Sequence, residues 1–348
     1  MDPAEVLAAY PEEWRSGRVL SMGTLGGFSG ATFWRIDARE GLLCLRRWPP
    51  GNPSEEGIRF IHAVLQHVAR TGFDLVPVPL QTVQGVSYVR DGECFWELSP
   101  WMAGKADSTD RPSPARIAAA MVALAGFHRA AQGFPISGRK SGRSAGIGDR
   151  LHRARQWLSG GLDELSALLT PTVCPRLFER ARRVLALAGT TGPALVPRLE
   201  AAADEQVPLQ PCIRDVWRNH VLFQGDRVSG LIDFGSLAVD NVATDVARLL
   251  GSLAGDEPEL RRLGLSAYGS VRPLGDAEAP LVEAFDQSTV VLSGLNWCDW
   301  IYRQHRTFAD WGAVEARLDE IARRLESLAR QCCGAKHGQD ARATRQSL

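Results

Sequence analysis

Residues 212–223 read CIRDVWRNHVLF, and after a short interval residues 230–235 read GLIDFG. Each segment carries a carboxylate, Asp215 in the first and Asp233 in the second. Phosphoryl transfer needs such a pair, because one carboxylate receives the proton of the attacking hydroxyl while another holds the Mg²⁺ bound to the nucleotide phosphates. The sequence therefore predicts a kinase-type phosphotransfer site, with Asp215 as the base and Asp233 as the metal ligand.

The interval between the two acids predicts a β-hairpin. Residues 221–223 favour a short strand, residues 224–227 a tight turn and residues 228–232 a returning strand. A hairpin brings its ends back to one edge, so the two acids are expected to lie close together. A strand that merely ends in a turn would explain residues 232–235 alone, but not the whole series in this order.

From about residue 25 to about residue 330, the sequence resembles the aminoglycoside phosphotransferase and choline kinase-like family, a small-molecule branch of the protein-kinase-like fold. The kinase catalytic-loop pattern HRDxxxxN corresponds to residues 213–220, with Asp215 at the position of the base. Ile213 replaces the His of the pattern, and His220 replaces the Asn that binds metal. An apolar residue at 213 can still pack beneath the loop.

The residue at position 220 bears on the metal, because Mg²⁺ prefers hard oxygen ligands. Three arrangements remain open: Asn219 takes over as the ligand, His220 contributes indirectly, or the site has fewer protein ligands than usual. The resemblance implies ATP or GTP as the phosphate donor, Mg²⁺ as the metal and a small hydroxyl-bearing molecule as the acceptor.

Residues 25–36 contain three glycines followed by an alternating apolar segment, as a hairpin that covers phosphates requires. Glycine lets backbone N–H groups approach phosphates without an intervening side chain. The candidates for nucleotide contact here are Gly26, Gly27, Ser29 and Gly30. The alternative is an ordinary hairpin turn.

Arg46, in the next strand-like segment, occupies the position at which the resemblance implies a basic residue for the α- and β-phosphates. Arginine is permanently charged and can bind phosphate through two N–H groups. Arg47 is expected on the opposite face of the strand. The alternative is a solvated arginine on an edge strand.

A helix is predicted to begin after Ser54, which has the character of an N-cap. In kinases a Glu on this helix orients the basic residue of the strand, and Glu56 is the candidate ahead of Glu55. Both acids also suit the first turn of any helix, because they interact favourably with the helix dipole.

Residues 97–102 resemble the hinge between the two lobes of a kinase. Backbone groups of Glu97 and Ser99 are the candidates for contacts to adenine, and flanking apolar residues can cover the base. Trp96 and Trp101 fit a hydrophobic core equally well.

The predicted fold class is α+β: a bilobal protein-kinase-like fold with a small β-rich N-lobe and a larger, mainly helical C-lobe. The N-lobe is assigned to residues 1–99, the C-lobe to residues 100–333 and a disordered tail to residues 334–348. A further strand is expected at residues 83–89. Separate helices are expected at residues 174–189 and 193–203.

The overall composition fits a soluble enzyme. The 348 residues include 40 Lys+Arg and 40 Asp+Glu, so the formal net charge of zero favours neither nucleic acid nor an anionic membrane as a partner. The seven cysteines are scattered and predict neither a disulfide framework nor a metal site. With no apparent signal segment or membrane span, a cytoplasmic protein is expected, and its oligomeric state is left open.

Two alternative functions compete with a small-molecule kinase. A protein kinase is disfavoured, because the family-like segment at residues 240–248, with Asp245 at the position of an acid that braces the catalytic loop, follows GLIDFG almost directly and leaves no room for a long activation loop. A pseudokinase that binds nucleotide or acts as a scaffold is favoured by the departures at Ile213, His220 and Arg46, and disfavoured by the presence of both acids.

Trp297 and Trp300, three residues apart on a predicted helix, fit either a core or a box for a cationic amine.

Overall fold

The computed structural model describes residues 1–24, 30–107, 112–138, 140–308 and 310–346, and only the backbone for residues 332–346. The chain forms two compact units. The first contains Met1–Gly138, Gln210–Val239 and Arg262–Pro273, and the second contains the remaining residues.

A five-stranded antiparallel sheet forms the N-terminal part of the first unit. Its order is β1-β2-β3-β5-β4. The strands are β1 Gly17–Gly23, β2 Thr32–Ala38, β3 Gly41–Arg47, β4 Val89–Asp91 and β5 Cys94–Pro100. Strands β3 and β5 pair so that Arg46 lies directly opposite Glu97, which places both side chains on one face of the sheet.

Helices cover both faces of this sheet. The N-terminal helices are α1 Pro3–Leu7 and α2 Glu12–Arg15, and the long helix after the third strand is α3 Glu55–Arg70. Val6, Leu7 and Tyr10 pack with Leu45 and other buried residues of one face. On the other face, Trp48 and Phe95 pack with Ile58 of α3. Successive residues of a strand point to opposite faces of the sheet. Leu45 lies on the face covered by the N-terminal helices, so Arg46 lies on the face covered by α3.

The predicted hairpin is present in the first unit. Its strands are β10 Val221–Gln224 and β11 Arg227–Leu231, and the turn is reduced to Gly225 and Asp226, with Gly225 at φ +63°. Gly suits this left-handed conformation because it has no Cβ. The same unit contains β6 Lys105–Ala106, α4 Pro114–Ala131 and β9 Gln210–Cys212, and β6 extends the hairpin to three strands.

The second unit is mainly helical. Its elements are β7 Ser141–Gly142, α5 Ala145–Gln156, α6 Leu162–Leu168, α7 Phe178–Asp204, β8 Val207–Pro208, α8 Ala243–Ala254, α10 Glu278–Tyr302 and α11 Trp311–Gln346. A kink at Ser159 and Gly160, where Gly160 has φ +129°, joins α5 to α6. β12 Ala238–Asp240 and α9 Pro258–Gly269 each include the boundary between the units.

Two predicted elements are wrong. The strand expected at residues 83–89 is reduced to β4, because Thr82 closes a turn by accepting hydrogen bonds from the backbone N–H groups of Gln84 and Val86. The two helices expected around residues 174–203 are one helix, α7, which continues through Pro193 and Pro197. Its packing against α10 and α11 supports the helix where proline removes backbone hydrogen bonds.

The predicted fold class is confirmed, because an N-terminal five-stranded sheet precedes a mainly helical region. The lobe boundaries and the disordered tail stay predictions. Among the described helices, none is both long and apolar enough to span a membrane.

Candidate active site

The loop between β9 and β10 carries Asp215, and buried apolar residues hold it on both sides. Ile213 and Val216 are fully buried, while Asp215 is half-buried. Arg214, directly before Asp215, has φ +67°. This left-handed conformation is uncommon for a residue with a long side chain, and such residues cluster at functional sites. Ile213 is thus buried, as an apolar residue at this position allows, and its packing beneath the loop stays a prediction.

His220 makes hydrogen bonds within the loop of residues 213–220 through both of its ring nitrogens. Nδ1 lies 2.8 Å from the backbone oxygen of Asp215, and the indole N–H of Trp217 donates to Nε2 at 3.0 Å. A neutral imidazole has one donor nitrogen and one acceptor nitrogen, so these two bonds use its hydrogen-bonding capacity. Nε2 is also 3.6 Å from a carboxylate oxygen of Asp233. This geometry favours the indirect contribution among the three arrangements left open by the sequence.

Asn219 lies on the short 3₁₀ turn Arg218–His220, where its residue is exposed. Its carboxamide oxygen has the chemistry of a Mg²⁺ ligand. Whether Asn219 serves the metal stays a prediction.

Asp233 follows β11 and meets Arg46 of β3. Nη2 of Arg46 donates to Oδ1 of Asp233 at 3.2 Å. The backbone N–H of Ile232 donates to the carbonyl of His220 at 3.0 Å, which brings the GLIDFG segment back to the loop that carries Asp215. Asp233 has φ +63°, a conformation that Asp tolerates better than most residues.

The electrostatic surroundings of Asp233 favour its charged form. Burial is the largest single influence and by itself would raise the pKa of the Asp233 carboxyl, but the charge of Arg46 and several smaller contributions together hold this pKa below its usual value. His220, the hydrogen bond from Arg46 and the backbone N–H of Gly235 act in the same direction. The Asp233 carboxylate is thus anionic at neutral pH.

Arg46 is buried, and an aromatic ring covers its guanidinium. The central carbon of the guanidinium is 3.4 Å from the centroid of the Trp48 ring and 5.3 Å from that of Phe33. Residues 46 and 48 are two positions apart on an extended segment, which puts them on the same face. This placement contradicts the alternative of a solvated edge-strand arginine, because only 8% of Arg46 is exposed.

Glu97 and His62 form a buried pair beside Arg46. Nε2 of His62 lies 2.7 Å from Oε2 of Glu97, and Nδ1 lies 2.7 Å from the Ser87 hydroxyl. Burial would raise the pKa of the Glu97 carboxyl, but the hydrogen bond and charge of His62, together with Arg46 and Trp48, lower it below its usual value. The side chain of Glu97 is therefore committed to this pair, so a role in adenine binding would fall to its backbone.

Sequence reasoning missed the role of His62. The position of His62 in the helix could have indicated that it is buried. Ile58, His62 and Leu65 are spaced to share one face of α3, and all three are buried. A histidine on an otherwise apolar face needs a polar partner. That partner could not be identified before the sheet was known.

The acids in the first turn of α3 do not reach Arg46. Glu55 forms ion pairs with Arg59 and Arg90 and accepts a hydrogen bond from Tyr88 at 2.8 Å. Glu56 is exposed. In the part of the chain that the structure describes, the carboxylate paired with Arg46 belongs to Asp233.

The other predicted nucleotide contacts are only partly described. Gly26, Gly27 and Ser29 lie outside the described residues. Gly30 has φ +77°, a conformation that favours glycine. Ser99 is buried on β5, opposite Cys44 of β3. The roles of all five, with that of the Glu97 backbone, stay predictions.

Trp297 and Trp300 join an aromatic cluster in the second unit. Their ring centroids are 5.2 Å apart, and Phe308 and Trp311 continue the cluster. The guanidinium of Arg306 lies 4.8 Å from the centroid of the Trp300 ring. A cation of the chain itself thus covers Trp300, and the choice between a core and a ligand box stays open.

Comparison with known proteins identifies relatives of this chain. A model of the phosphotransferase enzyme family matches residues 24–281. The homoserine kinase of Methylobacterium nodulans is 28% identical over 307 residues, covering 86% of this chain and 87% of the relative. The homoserine kinase of Rhizobium rhizogenes is 29% identical over 253 residues, covering 70% of this chain and 69% of the relative.

Solved structures share the fold at lower sequence identity. An aminoglycoside phosphotransferase from Alicyclobacillus acidocaldarius is 18% identical with a TM-score of 0.59, covering 95% of both chains. A microcompartment-associated aminopropanol kinase is 15% identical with a TM-score of 0.60, covering 95% of this chain and 97% of the other. A spectinomycin phosphotransferase solved with ADP and its antibiotic is 10% identical with a TM-score of 0.60, covering 90% of this chain and 92% of the other.

Proposed function

Because the chain belongs to the phosphotransferase enzyme family and is an ATP-dependent small-molecule kinase with an alcohol acceptor, we propose that it phosphorylates the hydroxyl group of homoserine or a similarly small amino alcohol. The observation that carries the proposed site is the meeting of Arg46 and Asp233 at 3.2 Å beside the loop that holds Asp215. The relatives named homoserine kinases match most of their length, which supports an acceptor of that size.

Asp215 acts as the base that receives the acceptor's proton. It lies at the position of the base in the family's loop pattern, and its backbone oxygen is bonded to His220 at 2.8 Å. A carboxylate on a fixed backbone orients the attacking hydroxyl, and positioning accounts for much of the catalysis in phosphoryl transfer. No covalent enzyme intermediate is required.

Asp233 is suited to hold Mg²⁺. It offers a carboxylate whose pKa is held below its usual value, and Mg²⁺ is commonly bound by one or two carboxylates together with substrate phosphates and water. Both ring nitrogens of His220 are already hydrogen-bonded. This favours a metal site whose protein ligands are oxygen atoms. When bound, Mg²⁺ would neutralise charge on the phosphates of ATP.

Arg46 binds the phosphates of ATP, together with backbone groups of residues 26–30. Its guanidinium is permanently charged and has several N–H donors in its plane, so these can donate to phosphate oxygens at its edge while Trp48 covers one of its faces. A basic residue held beside the acidic metal ligand supports this role. The backbones of Glu97 and Ser99 are the proposed contacts for adenine.

The test is ATP-dependent phosphorylation with Mg²⁺ across homoserine, aminopropanol, choline and a set of aminoglycosides. We expect the highest kcat/KM with homoserine or another small amino alcohol. The variant Asp215→Asn keeps the side-chain shape but removes the basic carboxylate, so its kcat should fall about 100-fold or more while ATP affinity stays nearly unchanged.

A pseudokinase would bind ATP and transfer phosphate to none of these acceptors. Wild type and Asp215→Asn would then behave alike across the panel. That result, with ATP binding confirmed, would overturn the proposed function. A preference for aminoglycosides would overturn only the proposed acceptor.

A further inference from the structure

We propose that Trp48 is a positioning residue for ATP binding, which holds the Arg46 guanidinium in one plane and thereby replaces the helix carboxylate that kinases use for this purpose. The inference rests on the proposed function, because it assigns Arg46 to the phosphates. It assigns Trp48 a role that neither its sequence position nor the family resemblance indicates.

The geometry of the pair is that of a close stack. The guanidinium carbon of Arg46 lies 3.4 Å from the centroid of the Trp48 ring, compared with 5.3 Å for Phe33. Arginine stacks on aromatic faces through its planar, delocalised charge, and tryptophan gives the strongest attraction of this kind. One face of the guanidinium is therefore covered, while Nη2 at its edge donates to Oδ1 of Asp233 at 3.2 Å.

The Trp48 ring is itself held in place. Only 4% of Trp48 is exposed, and its backbone N–H donates to the carbonyl of Phe95 at 2.8 Å. Ile58 and Phe95 pack around it. A Cβ added at Gly235 would lie 3.0 Å from Cζ3 of Trp48, so the final glycine of the GLIDFG segment provides the space that the ring fills.

Helix α3 does not supply the carboxylate that would otherwise orient Arg46. Glu55 is paired with Arg59 and Arg90, and Glu56 is exposed. What α3 directs toward the sheet is His62, which is bonded to Glu97 at 2.7 Å. Glu97 lies directly opposite Arg46 in the strand register, so it contributes negative charge on the same face without forming an ion pair with Arg46.

Stacking on the Trp48 ring requires a planar cation at residue 46. A planar guanidinium can lie flat on an indole, whereas a lysine ammonium is a compact charge that gains less from the ring. Trp48 and Arg46 should therefore behave as a coupled pair: replacing the tryptophan should matter when residue 46 is arginine and matter little when it is lysine.

The test is a double-mutant cycle with Trp48→Leu, Arg46→Lys and the combined variant. We expect Trp48→Leu to raise KM for ATP about 3- to 30-fold, with KM for the acceptor changed less than about 2-fold. In the Arg46→Lys background the same change should raise KM for ATP by less than about 2-fold. The conservative Trp48→Phe should restore most of the ATP affinity.

A matched control is Trp34→Leu. Trp34 lies on β2 and packs against the core on the opposite face of the sheet, stacked on Trp96 at 5.1 Å. Its removal should lower thermal stability without changing KM for ATP, and its effects should add to those of Arg46→Lys. Should Trp48→Leu fail to fold, Trp48→Met in both backgrounds provides the same cycle, because it also removes the aromatic face while keeping an apolar side chain.

Additive effects of Trp48→Leu and Arg46→Lys on KM for ATP would overturn the role of Trp48, as would equal effects of Trp48→Leu and Trp34→Leu. A wild-type protein that transfers phosphate to no acceptor is a different result, because it removes the proposed function. In that case the double-mutant cycle uses the dissociation constant of ATP in place of KM. Additive effects of the two substitutions on that constant would again overturn the role of Trp48.

Discussion

At the scale of single residues, His220 shows how a departure from a family pattern can be compensated by geometry. The sequence left three arrangements open for the metal, because an imidazole and a carboxamide differ in hardness but the surrounding donors were unknown. The bonds to Trp217 and to the backbone of Asp215 favour one of them. Neither bond could be predicted, since both depend on the path of the loop through Arg214 at φ +67°.

We predict that His220→Ala lowers kcat about 10- to 100-fold to a similar extent with Mg²⁺ and with Mn²⁺, because it loosens the loop that positions Asp215. Direct coordination by the imidazole would instead favour Mn²⁺ in the wild type, and the variant would lose that advantage. The measurement is kcat at saturating concentrations of each metal. If Asn219→Ala lost activity and His220→Ala did not, Asn219 would be the ligand.

Gly235 gives a second prediction at this scale. In Gly235→Ala the new methyl group would lie 3.0 Å from the Trp48 ring, so the ring must shift, and overpacking of this kind costs about 1–3 kcal/mol. We expect a lower urea midpoint and a higher KM for ATP. Gly148→Ala is the control, because Gly148 lies in α5 with nothing within 4 Å of its Cβ position. A wild-type KM for ATP in Gly235→Ala would contradict the prediction.

At the scale of elements, α3 was predicted well in its position and incompletely in its role. Ser54 accepts a hydrogen bond from the backbone N–H of Gly57 at 3.1 Å, which confirms the N-cap. Spacing along a helix identifies which residues share a face, but it does not identify what the face meets. The partner of His62 lies on β5, 35 residues away in sequence, so only the assembled sheet reveals it.

The His62–Glu97 pair predicts a specific loss of stability in acid. The pKa of the Glu97 carboxyl is lower in the folded protein than in the unfolded chain, where it is about 4.3. The charged carboxylate therefore stabilises the fold above about pH 4.3, and this contribution is lost as the pH falls through the folded value. The free energy of unfolding should thus differ most between wild type and Glu97→Gln at pH 6. The difference should shrink toward pH 3 in urea titrations, and a constant difference would show that the charge is not stabilising.

At the scale of the whole molecule, the sequence was sufficient for the fold class and for the order of the site motifs. It was insufficient where long-range packing overrides local preference. Pro193 and Pro197 favour a break, yet α7 runs from Phe178 to Asp204. Residues 83–89 have strand-forming side chains, but the bonds to Thr82 bend the backbone. The pairing of Arg46 with Asp233 spans 187 residues and was not predicted, since the resemblance implied Glu56 of α3 as the acid that orients Arg46.

Ligand linkage gives the prediction that belongs to the whole molecule. ATP with Mg²⁺ at about 100 times its dissociation constant should stabilise the folded protein by roughly 2.7 kcal/mol. Asp233→Ala should abolish the part of this gain that depends on Mg²⁺ while the protein remains folded. The measurement is the thermal midpoint with ATP, with and without Mg²⁺. An unchanged Mg²⁺-dependent shift in the variant would remove Asp233 from the metal site.

Arg46 also determines how this protein responds to chemical labelling. The lysines of the chain are Lys105, Lys140 and Lys336, so β3 carries no primary amine. Reagents that acylate the strand lysine of other kinases would find no nucleophile at residue 46. An arginine-directed dicarbonyl is the reagent suited to this position, and Mg²⁺ with ATP should protect Arg46 from it. A survey that detects kinases by amine acylation would therefore overlook this enzyme even while it is active.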